Sequence, residues 1–561
     1  MDGDFMASGL MAKHALQGEF TVYFWGQSYY GTLPLLFIVP LLWLFGWTNP
    51  LALFAYGYLL CCVLSIAAFL CIRRFERDHI AASIAALLFL LPSPDVFKWM
   101  HWGYPTFTYL PLLFCVLWML WSHQRSGAFP SLFRAFLCGC CAGLALWISP
   151  GSMLLVPSLS LVLLLSSDEW KELHRRSGLF RIVSGPFLWM SATLFVAFAI
   201  SHGGTHDVLK ILCGALIIGL ILFLFAISRR KAVVLGTFAA LGIGFLFGNL
   251  PEWGSNLWLN ISYDRQAIFA LPTAQSLRGT FFYIFPSLWA HAPAMSVAYR
   301  FAPWEYSLQI AILFIAGVSA GAFFFSRRKT FGKMLMGYPL DGYEQRTAFF
   351  GLAAVIPVFA IICRVGVGED PFVVRYLLDG FIGYISIFAI GLAFLIRRFP
   401  IAGWFCTVFF FVAVVINLFL SFPAYPPQFV PSAVEELRDY LVSQKVEAGY
   451  ADYSTAYPLD FFWDENPLIV PYYLVRYRPH WEQAWASKRY ALVLHVPIHP
   501  GILRAKSEEE MEKILSDRLR ALQSTDLLMK IDRSAMLNRK TIGEWDVWIF
   551  DDPTPVLPVS S

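Results

Sequence analysis

The feature that most constrains this chain is a succession of apolar segments that carry almost no charge. Only 14% of the residues are charged, whereas a soluble domain needs about a quarter, so lipid must solvate much of this chain. Twelve segments predict helices, near 50–72, 80–92, 105–122, 135–149, 151–167, 182–201, 208–228, 232–249, 306–325, 347–364, 375–396 and 401–422. The sequence therefore predicts an α-helical polytopic membrane protein whose transmembrane domain spans residues 50–422.

Arginine and lysine set the orientation of these helices. They cluster in every second connection, at 73–77, 125–134, 171–181, 229–231, 327–333 and 397–398. Cytoplasmic loops carry the excess of basic residues, so the connections that hold these clusters are predicted to be cytoplasmic and the alternate connections to lie outside. This orientation places the N-terminal segment, the loops 93–104 and 365–374, the large loop 250–305, and everything after 422 outside the cytoplasm.

The first outer loop, residues 1–49, raises a question about the start of the chain. Residues 1–31 are polar and are predicted outside, yet no signal peptide precedes them. We expect one further transmembrane helix upstream in the natural protein; direct translocation of a short tail is the alternative. Residues 32–48 are apolar but contain Pro34 and Pro40, which favours a juxtamembrane helix lying along the interface.

The C-terminal residues 423–561 have a different character, with more charge and alternating patterns. Two helices and three strands are predicted there, at 431–447, 507–523, 467–473, 489–496 and 543–550. None of the ten cysteines falls in this part, which excludes a disulfide framework. We therefore predict a small soluble extracytoplasmic α/β domain, here called the tail domain.

Ionisable side chains are concentrated in the outer loops and are almost absent from the predicted spans. Transporters usually keep functional polar residues near the middle of the bilayer, so this distribution points to a site at the outer membrane surface. Asp4 precedes apolar residues at helical spacing and predicts a helix with a carboxylate in its first turn. The alternative is that Asp2 and Asp4 only cap that helix.

Three short motifs resemble a known family. The first is an acidic residue and a short helix followed by Phe24-Trp25-Gly26-Gln27-Ser28-Tyr29-Tyr30-Gly31. The second is Arg375-Tyr376-Leu377-Leu378 after a loop with Glu369 and Asp370, and the third is the tyrosine-rich segment 450–457. The chain resembles the C-type (GT-C) glycosyltransferase superfamily, and within it the bacterial family-39-like proteins related to protein O-mannosyltransferases and lipid A aminoarabinose transferases.

The resemblance implies a membrane glycosyltransferase of the cell envelope that uses a polyprenyl-phosphate sugar as donor and an extracytoplasmic lipid, glycan or protein as acceptor. By motif position Asp4 is the general base. Asp2 is an outside candidate, because the family often has a second acid directly after the first, where this chain has Phe5. Arg375 is expected to bind the lipid phosphate, and simple interfacial snorkelling is its alternative role.

Further substrate contacts are expected in the outer loops. Lys98, His101 or Arg265 could assist Arg375, and Gln27 and Tyr29 lie within the first motif. Glu252 adjoins a tryptophan, and a carboxylate with an aromatic face suits sugar hydroxyls, although interfacial anchoring explains the tryptophan equally well.

No cofactor is expected, and no metal site is predicted, because no outer loop holds paired His or Cys at ligand spacing. Two other functions stay open. A transporter or flippase of lipid-linked sugars would need polar residues facing an internal cavity. A non-catalytic envelope scaffold would use the tail domain as its binding module.

Overall fold

The computed structural model describes most of the membrane domain and most of the tail domain. The described residues are isolated positions between 152 and 289 and the ranges 3–25, 27–101, 105–121, 132–149, 231–248, 303–362, 378–421, 431–471, 477–495, 536–543 and 545–551. The helices predicted over 151–167, 182–201, 208–228 and 507–523 lie outside the described residues.

The first outer loop forms two helices and a small hairpin. In chain order its elements are α1 (Gly3–Leu16), β1 (Tyr23–Phe24), β2 (Gln27–Gly31) and α2 (Leu35–Phe45). Residues 5–14 of helix α1 are buried except for the half-buried Ser8, with Met6, Leu10 and Met11 at most 1% exposed. It therefore lies inside the protein and is held by packing.

Helix α2 corresponds to the proline-interrupted segment. Its 11 residues extend about 17 Å, which is short of the roughly 30 Å hydrocarbon layer. Leu36, Trp43 and Leu44 on its outer face are 62–77% exposed. A short helix with bulky apolar residues on one exposed face is typical of a helix in the membrane interface.

The membrane domain is a bundle of helices. Its described helices are α3 (Leu51–Glu76), α4 (His79–Leu90), α5 (Pro94–His101), α6 (Pro105–Trp121), α7 (Leu132–Ile148), α8 (Lys231–Gly248), α9 (Pro303–Ser326), α10 (Arg328–Leu335), α11 (Gly342–Ile362), α12 (Phe381–Arg398) and α13 (Pro400–Ser421). Four of the described helices, α3, α9, α12 and α13, are long and apolar enough to cross a membrane. The prediction of an α-helical membrane protein is confirmed.

Glycine allows two of these helices to approach closely. A side chain at Gly139 of α7 would collide with the carbonyl of Leu241 on α8, and one at Gly244 of α8 would collide with the carbonyl of Phe136. Small residues let backbones pack together where no hydrophobic effect drives helices to associate. Neither position has space for alanine.

Basic connections meet at one end of the bundle, here called the basic end. Arg327 pairs with Glu76 at 3.0 Å, and Arg397 pairs with Asp78 at 2.8 Å. Asp78 also caps α4, because its carboxylate accepts a hydrogen bond from the backbone N–H of Ile80 at 3.0 Å. Three of the clusters used to orient the helices therefore lie on the same side.

The opposite end of the bundle, here called the loop end, contacts the first outer loop. Helix α3 has 26 residues and so separates the two ends by about 39 Å. At its start the ring of Phe54 lies 5.2 Å from that of Phe5 on α1. The hydroxyl of Tyr56 lies 3.0 Å from that of Thr108, which binds the start of α6 to the same end.

The tail domain is a mixed sheet with helices. Its elements are α14 (Pro431–Ser443), β3 (Ala448–Ala451), α15 (Tyr453–Trp463), β4 (Leu468–Pro471), α16 (Arg478–Trp485), β5 (Tyr490–His495), β6 (Met536–Ile542) and β7 (Trp545–Phe550). The strand order is β4-β3-β5-β7-β6, in which β4, β3 and β5 are parallel and β7 is antiparallel to both of its neighbours. The predicted α/β class is confirmed.

Two strands of the described sheet in the tail domain, β3 and β6, were not predicted. Strand β3 is only four residues long, reads Ala-Gly-Tyr-Ala, and lies between β4 and β5, where every residue is buried. Strand β6 is the edge of the sheet and carries Arg539 and Lys540, which is how natural edge strands avoid pairing with other chains. Neither has the alternating apolar pattern that predicts a strand.

Candidate functional site

The tail domain docks directly on α1 of the first outer loop. Gly9 of α1 faces the ring of Phe461 on α15, and a side chain at Gly9 would collide with that ring. Phe461 is fully buried, so it has no space into which to withdraw. Contacts between α1 and α15 join residues that lie about 450 positions apart in the sequence, such as Lys13 and Phe461 with a separation of 448. The close approach of the two helices requires glycine at position 9.

Lys13 joins α1 to the end of α15. Its ammonium donates to the carbonyl of Phe461 and to a carboxylate oxygen of Asp464, each at 2.9 Å. The Lys13 side chain is only 5% exposed, whereas that of Asp464 is 70% exposed. A buried lysine needs partners for its charge, and here the helix terminus of α15 provides them.

His14, one residue further along α1, has a partner at each ring nitrogen. Nδ1 lies 2.6 Å from a carboxylate oxygen of Glu19, and Nε2 lies 2.7 Å from Oε1 of Glu465. The hydroxyl of Tyr477, just before α16, donates to the same carboxylate of Glu19 at 2.8 Å. Glu19 therefore bridges the first outer loop and the tail domain.

Aromatic rings enclose this junction. Trp25 of the first outer loop stacks on Tyr477 with ring centroids 4.1 Å apart, and His14 meets Trp25 edge-on at 5.1 Å. The ring of His480 lies 5.1 Å from that of His14 and 4.7 Å from that of Tyr477. The rings limit access of water from one side.

Glu465 lies between the two histidines. Its other carboxylate oxygen, Oε2, is 3.4 Å from Nε2 of His480. Glu465 has φ +61°, in the left-handed region, and follows Asp464 at +54°. Two successive non-glycine residues in this region are uncommon, and together they turn the chain at the end of α15 toward α1.

The electrostatics of the cluster follow from burial and pairing. Burial lowers the pKa of His14, but contacts with Glu465 and Glu19 outweigh it, so its pKa is raised overall. Burial raises the pKa of the Glu465 carboxyl, yet the two histidines hold it well below its usual value. The contact with His14 also lowers the pKa of Glu19. The carboxylates are therefore ionised at neutral pH.

His14, Glu465 and His480 form a group whose side chains are capable of holding a metal ion, with one ligand atom from each lying within 4.8 Å of the others. The sequence predicts no metal site, because no outer loop holds paired His or Cys at ligand spacing. His14 and Glu465 are 451 positions apart, so only the docking of the two domains brings them together. No local spacing signals such a group.

The structure places the predicted substrate-contacting residues as follows. Asp4 lies in the first turn of α1, Gln27 and Tyr29 lie in β2, and Lys98 and His101 lie in α5; their side chains are not among those described. Three others, Arg375, Glu252 and Arg265, lie outside the described residues. Their roles stay predictions.

Comparisons with known proteins give no sequence relative. No protein-family model matches the chain, and no curated protein matches it.

Solved structures resemble it at low identity. The oligosaccharyltransferase AglB of Archaeoglobus fulgidus, in complex with an inhibitory peptide and a dolichol-phosphate, matches with a TM-score of 0.42 and 12% identity over 82% of this chain. An Archaeoglobus fulgidus oligosaccharyltransferase in complex with Zn and sulfate matches with a TM-score of 0.44 and 12% identity over 88% of this chain. ArnT of Cupriavidus metallidurans, bound to undecaprenyl phosphate, gives 0.35 and 14% over 99% of this chain and 94% of ArnT. This chain spans 59% and 64% of the two oligosaccharyltransferase chains.

Proposed function

We propose that this protein is an integral-membrane glycosyltransferase that moves a sugar from a polyprenyl-phosphate donor to an acceptor outside the cytoplasm. The observation that carries the proposal is the position of α1. Its first turn holds Asp4, and the adjacent Phe5 packs on Phe54 at the start of α3. An acid in the motif position for the general base thus belongs to a helix at the loop end of the bundle.

The sidedness of the molecule supports an outward-facing reaction. Glu76–Arg327 and Asp78–Arg397 hold the basic end together, and basic residues mark the cytoplasmic side. Helix α13 starts there and has 22 residues, so it rises about 33 Å before the tail domain begins. The tail domain and α1, which contact each other at the loop end, then face the extracytoplasmic space.

The proposed reaction is an inverting displacement. An acceptor hydroxyl attacks the anomeric carbon, and a new carbon–oxygen bond forms as the bond to the phosphate oxygen breaks. The carboxylate of Asp4 takes the proton of the hydroxyl. The polyprenyl phosphate leaves with the electron pair, and Arg375 stabilises its charge. Lys98, His101, Arg265, Gln27, Tyr29 and Glu252 remain the proposed contacts to the donor and the sugar.

The test is transfer of a labelled sugar by the purified full chain. The protein is reconstituted in liposomes with undecaprenyl-phosphate hexoses that carry a radioactive sugar, and an envelope extract of the source cells is added. We expect the label to leave the donor and to appear in the lipid, glycan or protein fraction of the extract. The fraction that acquires it identifies the class of acceptor.

Paired variants connect that transfer to the proposed base. Asp4→Asn should lower the rate by about 10²- to 10⁴-fold, the usual contribution of general-base catalysis. Asp2→Asn, two positions away, is the matched control and should transfer at the wild-type rate. Equal transfer by both variants would refute the role of Asp4. Movement of intact donor across the bilayer without transfer would instead identify a flippase.

A further inference from the structure

We propose that His14, Glu465 and His480 form a Zn²⁺ site that clamps the tail domain to the first outer loop. The site is separate from the proposed transfer reaction, because it lies ten positions beyond Asp4 along α1 and uses two residues of the tail domain. Two imidazoles and one carboxylate are a ligand set that zinc takes in proteins, with a water molecule as the fourth ligand.

The distances fit a tetrahedral ion. Zinc bonds of about 2.0–2.1 Å at tetrahedral angles put neighbouring ligand atoms roughly 3.3 Å apart. Nε2 of His480 is 3.4 Å from Oε2 of Glu465, and Nε2 of His14 is 2.7 Å from Oε1 of the same carboxylate. One ligand atom from each of the three residues lies within 4.8 Å of the others, so shifts of about 1 Å or less bring the group to the spacing of a zinc site.

The burial of His480 is not explained by the hydrogen bonds of the cluster. Its side chain is 6% exposed, and neither of its ring nitrogens makes a hydrogen bond to the residues that the structure describes. Leaving a buried polar group unsatisfied costs about 1–3 kcal/mol. Nε2 of His480 faces Oε2 of Glu465 at 3.4 Å, and a metal ion between these two atoms would bond to both of them.

His14 is already oriented as a ligand. Metal-binding histidines commonly donate their second ring N–H to a carboxylate, which sets the tautomer and the direction of the ring. Glu19 lies 2.6 Å from Nδ1 of His14 and is itself held by the hydroxyl of Tyr477 at 2.8 Å. With its proton on Nδ1, His14 directs the lone pair of Nε2 toward Glu465 and His480.

The ligands come from both sides of the junction, which indicates what the ion would do. His14 belongs to α1, whereas Glu465 and His480 belong to the tail domain. Glu465 is 27% exposed, so an ion can reach the site from solvent. An ion bound here would add bonds between two domains that the neighbouring Lys13 also joins.

Metal content of the purified full chain tests the inference. Wild-type protein in detergent is dialysed against micromolar ZnCl₂ and then against metal-free buffer, and zinc is measured by mass spectrometry. We expect one zinc per chain, released by a chromophoric chelator in competition. His14→Gln and His480→Gln should each weaken zinc binding by at least about 100-fold, because loss of an outer partner alone costs 10–100-fold. Glu19→Gln removes such an outer partner and should weaken zinc binding by about 10- to 100-fold.

Matched controls lie elsewhere in the chain. His79→Ala removes an exposed histidine at the basic end, and Glu482→Gln removes a carboxylate that is 57% exposed on α16; both should keep the wild-type affinity. Because the ring nitrogens of His480 make no described hydrogen bond, His480→Gln should fold, which size-exclusion chromatography checks.

Cobalt binding to wild-type protein provides a measurement that needs no variant. Tetrahedral Co²⁺ should give visible absorption that zinc displaces. Absence of this band together with less than a tenth of a zinc per chain, or equal zinc content in His14→Gln, His480→Gln and His79→Ala, would overturn the proposal. Sugar transfer is not read in any of these measurements, so failure of the metal site and failure of the glycosyltransferase assignment are distinguishable.

Discussion

The basic end and the loop end of the bundle both bury charged groups, but with different chemistry. At the basic end, guanidinium groups pair with carboxylates that are almost inaccessible, as in Arg327 with Glu76, whose side chain is 4% exposed. At the loop end Lys13 and His14 of α1 contact carboxylates of the tail domain, and His480 lies beside the same Glu465 carboxylate. Arginine keeps its proton under all ordinary conditions, whereas histidine exchanges protons and binds metals.

This difference separates a fixed junction from an adjustable one. The pairs at the basic end connect helices of one membrane domain, and their arginines neither lose a proton at ordinary pH nor bind metals. The junction at the loop end connects two domains through groups that respond to both protons and metals.

The largest expected effect is at the basic end. Arg327→Met leaves the Glu76 carboxylate buried without its 3.0 Å partner, and breaking such a pair typically costs about 3–5 kcal/mol of unfolding free energy. Thermal unfolding in detergent should show a clearly lower midpoint. Adding Glu76→Gln should restore much of the loss, and Lys333→Met, in a pair whose lysine is 47% exposed, should change little. A loss equal to that of Lys333→Met would mean that the basic end is not a fixed junction.

At the loop end, Lys13→Met should loosen the tail domain. The change keeps the apolar stem but removes the donor to the Phe461 carbonyl at 2.9 Å, and a hydrogen bond from a charged group contributes about 1.5–3 kcal/mol. Limited proteolysis of the tail domain should become faster. Asp464→Asn is the control and should have little effect, since Asp464 is 70% exposed. If Asp464→Asn made the tail domain as sensitive to protease as Lys13→Met does, the stabilisation would come from the ion pair and not from the hydrogen bond to the buried carbonyl.

A somewhat smaller effect is expected from Gly9→Ala. The added methyl group would enter the ring of Phe461, and overpacking of this kind costs about 1–3 kcal/mol. Protease sensitivity of the tail domain should rise with little effect on the membrane helices. In contrast, Gly317→Ala on α9, where nothing lies within 4 Å of the new atom, should be neutral or slightly stabilising. Unchanged docking in Gly9→Ala would show that the two elements can separate slightly at little cost.

The smallest effect is expected away from both junctions, at the exposed pair of Arg489 and Asp551, whose second contact is 2.9 Å. The hydrogen bond from Arg489 lowers the pKa of Asp551. Its contribution is therefore present above about pH 3.9, the ordinary value for Asp, and is lost as pH falls through the lowered folded-state pKa. Asp551→Asn should be slightly less stable than wild type at pH 7 and equal to it at the lowest pH. A difference that grows on acidification would contradict this assignment.

Much of the architecture was determined by the sequence because hydropathy is a local property. Helices α3 and α13 begin within a residue of their predicted starts at 50 and 401, and the predicted strand at 543–550 is β7. The length and composition of each apolar segment predict whether it forms a transmembrane helix, without knowledge of its contacts. The scarcity of charge likewise determined the membrane class without reference to any contact.

Tertiary structure alone decided which distant residues meet. Strand β3 exists because β4 and β5 flank it on both sides, although its four residues carry no strand pattern of their own. Gly9, Lys13 and His14 read as ordinary residues of a short helix until the tail domain supplies Phe461 and Glu465. Contacts between residues more than 400 positions apart leave no periodicity in the sequence, so the junction and its candidate metal ligands were visible only once the chain had folded.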